Sequence, residues 1–396
     1  MPLRRLRQLS LSKICKKNHT TIVIPNFCSE TKVIFTFYTN VLEAQTMKTG
    51  ILLINLGTPD APKASAVGRY LREFLTDGRV IDIPWLPRQI LVRGIIAPIR
   101  SFRSAREYKK VWTEDGSPLL THGEKVRDLL QTRLSRPEMT AAFQGEVKVE
   151  LAMRYQHPSM DMVLSKMQAG NYDRIIILPL YAQYASASTG STLQKAFEVI
   201  SKWYVIPDVI SISQYWDFPG YLDGFELRAQ AFDLSAYDHI LFSYHGLPER
   251  QLDKVYEDRQ CSNHRCEDEI NEENKFCYKA TCYATTRALA QRMQIPSDRY
   301  TVCFQSRLGS GWVEPFSDKV IEQRAEKGDK KLLVFSPAFV ADCLETIVEI
   351  GEEYVELFQE KGGEQLDFVP SLNDHPRWIQ GLEELVLSKI GSTPAP

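Results

Sequence analysis

From Lys48 onward, short runs of β-branched and aliphatic residues alternate with longer stretches whose apolar positions recur every three or four residues. This is the pattern of parallel strands joined by crossover helices. The spacing predicts strands at Gly50–Leu56, Val147–Met153, Arg174–Leu180, Val205–Ile210, His239–Ser243, Tyr300–Gln305, Lys331–Ser336 and Gln365–Val369. Helices are expected over Ala64–Leu75, Gly123–Ser135, Met160–Gln168, Leu193–Lys202, Tyr221–Ala231, Tyr283–Arg292, Ser317–Glu326, Asp342–Glu360 and Pro376–Leu387. Eight strands suffice for two four-stranded sheets, and the SQYWDFPGY stretch marks a break between comparable halves. The expected architecture is α/β: two Rossmann-like, doubly wound parallel-sheet domains, 47–215 and 216–396, with a cleft between them. Residues 1–46 are expected to be a disordered extension, and no internal repeat is evident.

Composition narrows the function. The 396 residues are 43% hydrophobic and 25% charged, within the ordinary globular range. Lys and Arg number 48 against 50 acids, a net charge of −2, so no global attraction to nucleic acid is expected. The longest charge-free run, Ile175 to Gln194, is too rich in Ser, Thr and Gln to span a bilayer. Without a secretory pattern, the eight cysteines read as intracellular thiols or metal ligands, and the chain as cytoplasmic or peripheral to a membrane. Residues 1–29 hold six basic side chains and no acid, as an organelle transit peptide would; Met47, just before the first strand, favours a simple tail.

In doubly wound folds ligands lie beyond the carboxyl ends of strands, which directs attention to a few loops. The GTPD of Gly57–Asp60 lacks both glycine spacings of a nucleotide site, and the SASTGST of Ser186–Thr192 suits a helix cap or a polar pocket wall. His245 comes three residues after the apolar Ile240–Phe242, and Gly246-Leu247-Pro248 then turn the chain away, presenting the imidazole at a sheet edge. Such a histidine alone is more often structural. Glu345 changes the balance, because it opens the helix after another strand, with Glu349 and Glu353 following at four-residue intervals on one face. A solvated acidic stripe is the bland reading; a histidine and a row of carboxylates facing one cleft would suit a divalent ion and proton traffic. Between Trp85 and Arg103, Leu86, Ile90, Leu91, Ile95, Ile96 and Ile99 alternate with Arg88, Arg93, Arg100 and Arg103. That segment suits a buried helix, or an apolar lip holding a flat hydrophobic ligand with carboxylates, or a surface resting on a membrane.

Four cysteines crowd the insert 258–283 as Cys261-x4-Cys266-x10-Cys277-x4-Cys282. Four thiolates suit a [2Fe–2S] cluster or tetrahedral zinc, although the spacing is not the usual zinc C-x2-C. Zinc with His264 as a substitute ligand, and unligated thiols, remain alternatives.

In this order, LLINLGTPDAP, AMRYQHPS, YAQYASASTGST, SYHGLPER and FSPAFVADCLETIVEI closely resemble the ferrochelatase family, from about Lys48 to about Leu387. The resemblance implies a chelatase-like fold and insertion of Fe2+ into protoporphyrin IX, the terminal step of haem synthesis, with release of two protons. It implies His245 and Glu345 as the catalytic pair and iron ligands, Glu349 and Glu353 as a proton or metal path, and Leu56, Arg154 and Tyr155 as porphyrin contacts. Cys343 stands where many relatives have a histidine, which puts a third metal ligand in doubt, and Leu56 stands where coproporphyrin-using members commonly have tyrosine. Some bacterial members similar in this cysteine pattern carry a [2Fe–2S] cluster. The alternatives are a coproporphyrin or cobalt chelatase of the same fold, and a porphyrin or haem carrier without catalysis.

Overall fold

A computed structural model describes residues 14–16, 19–24, 33–37, 46–307 and 309–390. Met1–Thr46 and Met47–Pro396 form separate compact units. In the first, Ile14–Lys16 (β1), His19–Ile24 (β2) and Val33–Phe37 (β3) pair as an antiparallel sheet in that order. This differs from the disordered extension expected above. The TTIVI and VIFTF segments are rich in β-branched and aromatic residues, which favour strands whatever the charge of the flanking chain. The basic positions Arg4, Arg5, Arg7, Lys13 and Lys17 lie outside the described residues.

In the second unit the strands are Met47–Gly57 (β4), Gly145–Tyr155 (β5), Arg174–Pro179 (β6), Asp208–Ser211 (β7), His239–His245 (β8), Tyr300–Gln305 (β9), Lys331–Phe335 (β10) and Gln365–Phe368 (β11). They form two four-stranded sheets, β5-β4-β6-β7 and β11-β10-β8-β9, with every neighbouring pair parallel. Counted in chain order within its half, each sheet reads 2-1-3-4, so the halves share a topology that their sequences do not advertise. Helices cover both faces, which explains why the strands are continuously apolar: Ile51 through Ile54 are all 0% exposed. The winding reverses between β4 and β6 in one sheet and between β8 and β10 in the other, and a crevice opens at such points.

The two sheets share one core. Leu130 and Leu134 from the Pro118–Leu134 helix pack in the same cluster as Trp378, Ile379 and Leu382 from the Pro376–Ile390 helix. Where these helices meet, the buried Glu383 is paired with both Arg133 and Arg136. Gly57 ends β4 with φ 120°, and its α-carbon lies so close to the Tyr155 carbonyl of β5 that no side chain fits there.

Three segments depart from expectation. The strand expected at Val205–Ile210 begins only at Asp208, because Pro207 has no N–H to donate; Val205 and Ile206 are left exposed. The helix expected over Asp342–Glu360 begins at Glu345 and runs as a π-helix to Tyr354 before continuing as α-helix. The Trp85–Arg103 segment is one helical run, Trp85–Ile90, a π-segment Leu91–Ile96 and Ala97–Val111, but it is not buried. Trp85, Leu86, Ile90, Ile95, Ile99 and Phe102 all stand in solvent. No helix among the described residues is long and apolar enough to cross a membrane.

Candidate active site

A cleft with about 1240 Å³ of empty space, its open mouth included, lies at both reversal points. Its wall takes Asn55, Leu56, Gly57 and Thr58 from the carboxyl end of β4, and Leu180, Tyr181 and Gln183 from beyond β6. His245 and Leu247 come from the end of β8, and Ala338 to Ala341 and Cys343 to Glu345 from the segment after β10. Tyr70, Phe74 and Tyr108 close the side toward the lip. Mostly apolar, with a few converging polar groups, this lining suits a flat hydrophobic ligand. Two of the π-segments border the cleft, Ser186–Gly190 through Ala187 and Ser188, and Glu345–Tyr354 through Glu345. Such widened turns cost helix stability and concentrate at functional sites.

His245 and Glu345 therefore reach the same cavity from two adjacent strands. The imidazole Nδ1 lies 2.6 Å from the Gly246 carbonyl oxygen and donates to it, which leaves Nε2 as an acceptor. Phe339 packs against the ring, with centroids 6.4 Å apart. Glu345 sits among the buried Tyr70, the half-buried Tyr108 and the buried Cys343 thiol. Burial first, and then these neighbours' charges, push the two phenols and the thiol up, so all three keep their protons at neutral pH. Cys343 lines the cavity, but among the described residues no three His, Cys, Asp or Glu side chains are assembled closely enough to hold a metal ion.

Glu349 and Glu353 lie outside the cavity lining, farther along the helix that Glu345 opens. Glu349 accepts from Ser306 N at 2.7 Å, Tyr354 OH at 3.1 Å, Gln305 Nε2 at 3.2 Å and the Ser306 hydroxyl. Gln305 Nε2 also reaches the Glu345 carbonyl at 3.2 Å, linking the two positions. Glu353, next outward, is exposed. Its pKa is raised by desolvation and then by Glu349 and Glu107.

Of the porphyrin contacts expected from the sequence, Leu56 lines the cleft, whereas Arg154 and Tyr155 do not. Asp77 holds them one layer behind the wall. Its Oδ2 accepts from Arg154 Nη2 at 2.6 Å, from Tyr155 OH at 2.9 Å and from the Ser191 hydroxyl, and its Oδ1 from Arg79 N at 2.8 Å. Burial would raise this carboxyl's pKa, but the Ser191, Arg79, Arg154 and Tyr155 interactions outweigh burial and hold it below the usual range. Tyr155 in turn backs Phe74, ring to ring at 5.1 Å, and Phe74 does line the cleft. Asp77, Tyr70, Tyr108 and Asn55, whose buried Nδ2 has no partner, escaped the sequence reading. The i,i+4 pair Tyr70 and Phe74 on the Ala64–Leu75 helix was the available signal.

On the lip, Arg88 donates to the Ile81 and Ile83 carbonyls and so caps its own loop. Burial, then the adjacent Arg103 charge, lower the Arg100 pKa. In the insert, Cys261, Cys266, Cys277 and Cys282 are all buried. Cys261 Sγ and Cys266 Sγ are 4.0 Å apart, close to the span of two thiolates on one tetrahedral ion with bonds of about 2.3 Å. Hydrogen bonds from Cys261 and Cys266 hold the Cys277 thiol low. The fourth thiol, Cys282, lies in the Tyr278–Arg292 helix, whose Tyr278 lines the cleft. His264 is engaged away from the thiols: its ring stacks on Tyr256 at 3.8 Å, and its two nitrogens face Asp258 and Glu273.

The ferrochelatase family model matches residues 48–390. A ferrochelatase of Legionella pneumophila (strain Corby) is 42% identical over 349 residues, covering 87% of this chain and all of the relative. One from Coxiella burnetii (strain Dugway 5J108-111) is 40% identical, covering 87% and 94%. Among solved structures, SirB from Bacillus subtilis with Fe3+ aligns over 87% of this chain and 96% of its own, at 11% identity and a TM-score of 0.49. That likeness is weak, and the fold assignment rests on the strand order above. By matched length and by identity, the chain belongs to the ferrochelatase family, whose members insert iron into porphyrin in haem synthesis.

Proposed function

We propose that the porphyrin is protoporphyrin IX, that the metal is Fe2+, and that His245 and Glu345 are the catalytic pair. The observation behind this reading is their common opening onto one apolar cleft from the ends of β8 and β10. Each Fe2+ that enters displaces two pyrrole N–H protons, so the site needs proton acceptors as well as metal donors. With Nδ1 committed to Gly246, His245 offers its Nε2 lone pair to a pyrrole proton or to iron. Glu345 offers a carboxylate, which Fe2+ accepts as readily as imidazole. Glu349 and Glu353 then form a path from cavity to surface for protons or metal. The raised pKa of Glu353 suits a group that takes up and releases protons near its exit.

Leu56 and Phe339 in the cleft wall support the apolar body of the macrocycle, and Arg100 and Arg103, exposed on the Ala97–Val111 helix of the lip, suit its carboxylates. Arg154 and Tyr155 act indirectly, by fixing Phe74. Leu56 in place of tyrosine favours protoporphyrin over coproporphyrin. An anaerobic assay of Fe2+ insertion is expected to give a higher kcat/KM with protoporphyrin. Preference for coproporphyrin or for cobalt would hand the assignment to a sister chelatase, and binding without turnover to a carrier.

The four insert cysteines would hold a [2Fe–2S] cluster, with zinc as the alternative. All four thiols are buried and Cys261 approaches Cys266, although the four are not gathered closely enough to hold a metal as they stand; a metal centre that drew them together would supply folding free energy to a segment with five acids between Cys266 and Cys277. Charge-transfer absorption in the visible, lost on Cys266→Ser, is the expected result. A colourless protein with stoichiometric zinc would select zinc, and one with neither metal would leave free thiols.

A further inference from the structure

The short Glu249–Asp253 helix begins four residues after His245 and ends five residues before the cysteine insert. Its consecutive side chains, with Lys254 just beyond, reach in two directions. Arg250 donates to Asp82 Oδ1 from Nε at 2.9 Å and Nη2 at 2.6 Å, and Lys254 Nζ reaches Asp82 Oδ2 at 2.7 Å. Asp82 belongs to the loop that enters the lip at Trp85, and its side chain is only 10% exposed. Gln251, itself 9% exposed, points Nε2 at the Val80 carbonyl at 3.2 Å and the Arg79 carbonyl at 3.4 Å, in the same loop. In the other direction, Asp253 Oδ1 accepts from the backbone N–H of Cys261, the first thiol of the insert, at 2.9 Å. Leu252, 2% exposed, pins the helix in the core between these grips.

Exposed ion pairs are usually worth little. Here, however, one nearly buried carboxylate is held by two cations, and a buried amide grips two carbonyls of the same loop, so the contacts fix a geometry. An anchor on the lip side and an anchor on Cys261 share five residues of rigid helix. A displacement of Cys261 therefore reaches the lip entrance without passing through the cleft.

We propose that the Glu249–Asp253 helix is a strut that couples the cysteine insert to the lip, with Asp253 and Asp82 as positioning residues for porphyrin binding. Ordering of the insert by its metal centre sets Cys261, Asp253 orients the strut, and Arg250, Gln251 and Lys254 hold the lip loop against the β8 edge. The metal part of this chain of contacts rests on the insert reading above; the strut itself rests on the hydrogen bonds.

The test uses the full-length protein as purified, with Asp253→Ala, Asp82→Asn and the double variant. Asp253→Ala removes the grip on Cys261 without touching a thiol. It is expected to retain the insert's metal, to speed deuterium exchange at residues 79–103, and to raise KM for protoporphyrin about tenfold with little change in kcat. Because both substitutions cut one path, the double variant is expected to be no worse than Asp82→Asn alone. Unchanged lip exchange in a metal-replete Asp253→Ala protein, or full additivity in the double variant, would overturn the strut. Elemental analysis of the unsubstituted protein comes first and decides the insert reading separately, since absence of metal sinks that reading while the Asp253→Ala comparison still decides the strut.

Discussion

His245→Ala is expected to slow Fe2+ insertion by about 10²- to 10⁴-fold, the usual contribution of a positioned acid or base, while protoporphyrin still binds. The two effects separate because the imidazole is one polar group in a wall otherwise built by Leu56, Phe74, Tyr108, Leu247 and Phe339. Truncating it leaves that apolar surface in place and removes the lone pair that Gly246 leaves free on Nε2. Binding can be followed by the fluorescence change of the porphyrin, and turnover by haem formation under anaerobic conditions. Equal loss of both would mean that the ring of His245 is a packing element and that the proton acceptor lies elsewhere. Substitution by glutamine, which fills much of the space without a titratable nitrogen, should resemble alanine in rate.

The largest stability effect is expected at the junction of the two halves. Arg133→Ala combined with Arg136→Ala should lower unfolding free energy by about 3 kcal/mol, because it strands a buried carboxylate without a counter-charge. Glu383 is 9% exposed at its side chain and is held by both guanidinium groups, each of which reaches solvent on its far side. Either arginine alone can still neutralise it, so each single variant should cost much less than half of the double. Glu383→Leu in the double-variant background should recover most of the loss, since the residue then joins Leu382 and Leu385 in the shared core. Denaturant unfolding of the four proteins measures this directly. Equal, additive losses in the single variants would show that the arginines act through helix packing instead.

The sheets were legible because parallel strands buried on both faces must be apolar throughout, and helices that cover them must be apolar on one side. His245 could be found for the same reason: a titratable side chain three residues after the apolar Ile240–Phe242, just before Gly246-Leu247-Pro248 turn the chain, falls at the carboxyl edge. Glu345 was found through an assumed α-helix that is in fact a π-helix over its first ten residues, so the position was right and the local geometry was not. Asp77 was illegible, because its meaning lies in partners 77 and 114 residues away along the chain. Those contacts also explain why Arg154 and Tyr155, which the family resemblance implied as porphyrin contacts, are absent from the cleft lining. The 2-1-3-4 order common to both sheets left no trace in sequence because it constrains where strands lie rather than which residues compose them.

A structure with protoporphyrin bound tests the central claim most directly. The account predicts the macrocycle between Leu56 and Phe339, with His245 Nε2 and the Glu345 carboxylate both directed at its four central nitrogens. A ring seated with either side chain turned away from those nitrogens, or seated outside this cleft, would contradict it.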